Sequence, residues 1–192
     1  MSRKYAKCKS RIKRMCAINE VREKELYEKG KLLLEIYRDV CWTTETSVDY
    51  VREDLMEYEV DYCSRSMDEA FVYLENFAPE TSREKLEDRV RELFEVKWMV
   101  DIIDAAMVKV RAFPVYGEMY YDVLNIYYLG TFDYTESEAL EVLKMERSTF
   151  YRRKKEAIIL FSLSIWGAPM EEFKKYMIAN GKPQQISFFD RH

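Results

Sequence analysis

The chain has 192 residues, is 48% hydrophobic and carries a formal net charge of -4, which is enough apolar material for one domain or two small ones and argues against disorder throughout. The acidic balance argues against a protein that coats nucleic acid over its whole surface, because a basic face is the electrostatic footprint of such binding. Five glycines, four prolines and apolar positions spaced three and four apart, with little strand-like alternation outside short runs such as AFPVY, predict an all-α fold.

Charge is distributed unevenly from the start. Residues 1–14 contain Arg3, Lys4, Lys7, Lys9, Arg11, Lys13 and Arg14 and no acid. Such a run suits phosphate tracking beside a nucleic-acid reader, and equally a solvated leading turn or a contact for an acidic partner. Residues 19–113 reverse the sign, with 24 acids against 14 bases.

Residues 20–42 are predicted to form one helix with Leu26, Leu33, Tyr37 and Val40 as its inward stripe, ended by the run TTETS. From Ser47 a second helix is expected, in which Val48, Val51, Leu55, Tyr58 and Tyr62 form a heptad-like seam. Ser66 with Glu69 is a capping-box pattern and restarts a helix through Phe71 and Leu74, which stops at Pro79. Thr81 with Glu84 repeats the pattern and opens a long helix to about Phe113, whose stripe is Leu86, Val90, Leu93, Val100, Ile103, Met107 and Val110. These helices are expected to pack antiparallel as a platform over residues 20–113. That platform is either a core and nothing more or a module for homodimerisation or partner binding.

Thr135 and Glu138 form another capping-box pattern, so a short helix should begin there, with Leu140 and Leu143 on one face and Met145 plugging the angle to the next helix. The turn is Lys144 to Glu146. From Arg147 a new helix places Phe150, Ala157, Ile158 and Phe161 inward. Between Arg147 and Lys155 stand five cations and no acid. Arg147, Ser148, Thr149 and Tyr151 would meet base edges, and Arg152, Arg153, Lys154 and Lys155 would meet phosphates, as in a helix that reads double-stranded DNA in the major groove. About five phosphate contacts correspond to a salt slope near -4 to -5 in log-log form. The same run also suits a solvated basic face on an ordinary surface helix. Lys144 stands where a turn favours glycine, and Glu146 is a weak N-cap whose charge nevertheless suits the helix dipole.

The segment from Tyr120 to Gly167, most closely YYLGTFDYTESEALEVLKMERSTFYRRKKEAI followed by LSIWG, resembles the C-terminal helix-turn-helix of the ArpU and RinA type of phage late-gene regulators, itself similar to region 4 of bacterial sigma factors. Its most specific piece is RSTFYRRKKEAI, Arg147 to Ile158. The resemblance implies a helix-turn-helix DNA-binding domain over residues 114–167, recognition positions at Arg147, Ser148, Thr149, Tyr151, Arg152 and Arg153, and a role in sequence-specific transcription regulation.

After the SIWG break, Pro169 should open a short helix through Tyr176, leaving a hydrophobic tail within residues 168–192. The pentamer Gln185, Ile186, Ser187, Phe188 and Phe189 resembles the motif by which proteins bind the bacterial sliding clamp, with Ile186 and Phe188 in place of leucines. Docking of the tail on its own domain is the other reading.

No GxxxxGK or GxSxG run is present, and the one histidine is His192. Catalysis is therefore not expected, nor is a cofactor or metal, since Cys8, Cys16, Cys41 and Cys63 lack zinc-site spacing. The absence of a signal-like segment and of a long apolar run leads to the expectation of reduced thiols and a cytoplasmic protein without a membrane partner. Beside a DNA-binding regulator stands the alternative of a helical interaction factor for RNA polymerase, a terminase subunit or the clamp.

Overall fold

A computed structural model describes residues 3–43, 68, 70–95, 98–130 and 132–179. The fold is all-α, and no strand occurs among the described residues. The elements are α1 (Arg3–Ile18), α2 (Glu23–Thr43), a helical run at 70–75, α3 (Arg83–Glu95), α4 (Trp98–Arg111), α5 (Gly117–Leu124) continued by a π turn (Asn125–Leu129), α6 (Glu136–Leu143), α7 (Arg147–Trp166) and α8 (Ala168–Ala179).

Helix α1 exists because Cys8, Ile12 and Cys16 recur every four residues and bury one face. It ends where Glu20 adopts φ 55°, which lets Val21 N donate to Cys16 O at 3.1 Å. Helix α2 buries Leu26, Leu33, Leu34, Ile36 and Tyr37. Gly30 lets it approach α7 closely, because a Cβ there would lie 1.9 Å from Ser162 Oγ. That hydroxyl lies 2.7 Å from Leu26 O and 2.8 Å from Ile158 O.

The helical run at 70–75 buries Leu74 and Tyr73, and Trp166 Nε1 donates to Leu74 O at 2.6 Å. The one long helix expected from Thr81 is described instead as α3 and α4. Its cap also moves: α3 opens at Arg83, and the carbonyl accepting the first bond from Leu86 N belongs to Ser82. The expected stripe is inward nonetheless at Leu86, Val100, Ile103, Met107 and Val110. The seam read over Val48 to Tyr62, the Ser66 capping box and the pentamer Gln185–Phe189 lie outside the described residues.

Helix α7 is the axis of the molecule, packed against α1, α2, α4, α5 and α8. From Ala157 to Leu163 every residue is buried. A helix apolar on all sides belongs in a core rather than on a surface. One hydrophobic cluster runs from Cys8 in α1 to Met177 in α8, so the boundaries read at 19/20, 113/114 and 167/168 do not divide the core. A second, smaller cluster is centred on Val123, Ala139 and Phe150 and ties α6 to the start of α7.

Candidate nucleic-acid interface

The local chemistry of α6 follows from its first residue. Thr135 caps the helix: its hydroxyl accepts from Glu138 N at 3.4 Å, and Glu138 Oε2 accepts in return from Thr135 N at 2.8 Å. At the other end Lys144 adopts the left-handed conformation, φ 50° and ψ 45°, and its amide donates to Glu141 O. A non-glycine residue there costs on the order of 1 kcal/mol. Glu146 precedes α7 without a side-chain cap bond. The three-residue turn read at Lys144 to Glu146 is thus present, with a strained residue and a weak cap.

The turn holds because of what it encloses. Ala139 and Phe150 are fully buried, flanked by Leu140, Leu143, Met145, Tyr127 and Tyr134. The small side chain of Ala139 lets α6 and α7 approach, and Phe150 fills the space between them. The π turn contributes here too. By inserting one residue into the helix, it aims Tyr127 at Phe150, ring centroids 5.7 Å apart, while Tyr128 enters the main core.

On the outer side of α7, Arg147, Ser148, Tyr151 and Lys155 are exposed, and Thr149, Arg152 and Lys154 are partly so. This places seven of the eight residues expected to contact DNA on accessible surface. Arg153 is a correction. It is 4% exposed, its Nη1 donates to Glu156 Oε2 at 2.9 Å, and its guanidinium lies 3.6 Å from the Tyr116 ring centre. Tyr120 also donates to Glu156 Oε2, at 2.9 Å. Arg153 is therefore a core residue that orients α7 and is not available to a phosphate. Its position explains why: it lies three residues beyond Phe150 and three before Glu156, on the inward face.

Two further cations are tempered by their surroundings. Lys154 Nζ sits 3.9 Å from the Tyr127 ring centre, and burial pushes its pKa below the ordinary lysine value. Arg147 Nε donates to Glu136 Oε1 at 2.6 Å, and the Tyr151 hydroxyl donates to Glu136 Oε2. The Tyr151 hydroxyl and then the Arg147 guanidinium hold the Glu136 carboxyl below its ordinary range. Glu136 thus latches the first turn of α7 to α6. Neither Glu136 nor the Tyr116, Tyr120 and Glu156 group around Arg153 was among the residues expected at the site. The signal for Glu136 is faint, an acid eleven residues before Arg147 across a turn.

Among the described residues no group of three or more His, Cys, Asp or Glu could hold a metal, and no helix is long and apolar enough to cross a membrane. No family model matches the chain, and no curated protein or solved structure matches it either.

Proposed function

We propose that this protein binds duplex DNA sequence-specifically and regulates transcription, in the manner of the sigma-region-4-like phage regulators that residues 120–167 resemble. The observation that carries the reading is the unit from Glu136 to Lys155: two helices joined by a three-residue turn, locked by Ala139 and Phe150, with Arg147, Ser148, Tyr151 and Lys155 on the open side. Guanidinium, hydroxyl and phenol groups on a rigid helix face suit base edges and phosphates together. Arg152, Lys154 and Lys155 remain as phosphate partners, so this helix accounts for a salt slope of about -3.

A polarisation titration with promoter-bearing and random duplexes at two salt concentrations tests the proposal. Arg147→Ala and Tyr151→Ala should each reduce the preference for the specific duplex about tenfold, within the range of a lost base contact. An unchanged preference in both would sink it. A second reading, a protein-binding factor for RNA polymerase or a similar partner, draws on Phe132 and Val142, large apolar side chains 70% and 50% exposed beside the same unit. It predicts little DNA affinity at physiological salt.

A further inference from the structure

The basic run at the start of the chain forms α1, and its charges differ from those of its neighbour. In α2, Lys24, Lys29 and Lys31 pair with Glu28, Glu25 and Glu35 at 3.5 to 3.7 Å. In α1, Lys7, Lys9, Arg11, Lys13 and Arg14 are all exposed, the helix contains no acid, and none of the five makes an ion pair with a described residue. Lys7, Arg11 and Arg14 stand at i, i+4 and i+7, one exposed stripe to the side of the buried Cys8, Ile12 and Cys16. At 1.5 Å per residue the stripe is roughly 10 Å long.

Its direction is fixed by two contacts with α7. The Cys8 thiol is next to the Tyr120 hydroxyl, which donates to Glu156 Oε2 of α7 at 2.9 Å, and a Cβ on Gly167 would lie 3.2 Å from Asn19 Oδ1. From Cys8 to Asn19 and from Glu156 to Gly167 the chain advances by the same eleven residues. The two helices therefore run parallel, with the Lys7 end of α1 on the side of the first turns of α7. The stripe therefore runs along the body in the same direction as α7, starting at the end nearer the exposed turns of α7. A major groove about 12 Å wide, seated over those turns, carries its phosphate walls to either side.

We propose that α1 is a second DNA-contacting element, whose Lys7, Arg11 and Arg14 track the phosphate backbone flanking the site read by α7. The proposal rests on the DNA reading of α7 and deepens it: α7 supplies sequence preference, and α1 supplies sequence-independent affinity.

The test is Lys7→Gln/Arg11→Gln/Arg14→Gln in the full chain, with far-UV circular dichroism to verify the fold and Arg11→Lys/Arg14→Lys as the charge-preserving control. Binding of specific and random duplexes is followed by polarisation between about 50 and 200 mM salt. Wild type should give a slope near -5, and the triple variant should lower its magnitude by about 2 to 3, with the preference for the specific duplex unchanged and the control like wild type. A wild-type slope in the triple variant, with DNA binding intact, overturns the role of α1 and leaves that of α7 standing. So does a triple variant that loses binding to anionic phospholipid vesicles but not DNA. Absence of DNA binding by the wild-type chain at both salts removes the α7 reading itself, and this one with it.

Discussion

The two parts of α7 serve opposite purposes within one continuous helix. Residues 147–155 turn most of their polar and cationic groups outward, and residues 156–166 are almost wholly buried among α1, α2, α4, α5 and α8. A surface helix can shift with its neighbours, but this one is the core, so its exposed end is held by the packing of the whole molecule. Arg153 and Glu156 sit at the junction, where a cation from a basic run becomes part of the interior.

The sharpest way to break this contrast is at that junction. Arg153→Met leaves Glu156 buried without its guanidinium, and stability should fall by about 3 to 5 kcal/mol in urea denaturation. Arg153→Met/Glu156→Leu should recover most of the loss, because a buried pair is often replaceable by apolar groups of similar volume. A stable Arg153→Met protein with weakened DNA binding would instead return Arg153 to the interface.

A smaller effect separates the core from the exposed end by pH. Burial, reinforced by the Glu156 carboxylate in the case of Tyr120, raises the phenols of Tyr73, Tyr120 and Tyr128 above their ordinary value of 10.0. A group whose folded pKa is raised contributes its full stability below the unfolded value and loses it as pH rises toward the folded one. Melting temperature should therefore hold to about pH 10 and then drop, at about 1 kcal/mol per buried phenol for the first unit. Tyr128→Phe should make that decline shallower, and an identical decline in both proteins would contradict the assignment.

The smallest expected change lies at the exposed end. Glu136→Gln releases Arg147 and Tyr151 and removes an acid from the face proposed to meet DNA, so affinity should rise about two- to fivefold, a small effect as expected of a surface ion pair. If affinity falls, Glu136 serves to position Arg147 and does not compete with DNA for it.

Much of this was legible beforehand. The Thr135 capping box, the turn at Lys144 to Glu146 and the inward set Phe150, Ala157, Ile158 and Phe161 all stand where periodicity and capping chemistry put them. These signals are local, carried by residues within a turn or two of one another. The fate of each cation was not legible in this way. Arg153 and Arg152 are neighbours in sequence, but only Arg153 faces Tyr116 and Tyr120, residues more than thirty positions earlier. Glu136 likewise meets Arg147 only because the turn folds α6 back along α7.

By itself, the sequence determined that the chain is helical, where its last helices begin, and that its charge is basic, acidic and basic again. Periodicity and capping act over short distances and can be read without a fold. The tertiary structure decided that one core unites α1–α5, α7 and α8, that a second cluster ties α6 to the start of α7, and which cations face water. Burial depends on what other segments bring to a residue, and a one-dimensional charge pattern does not contain that information.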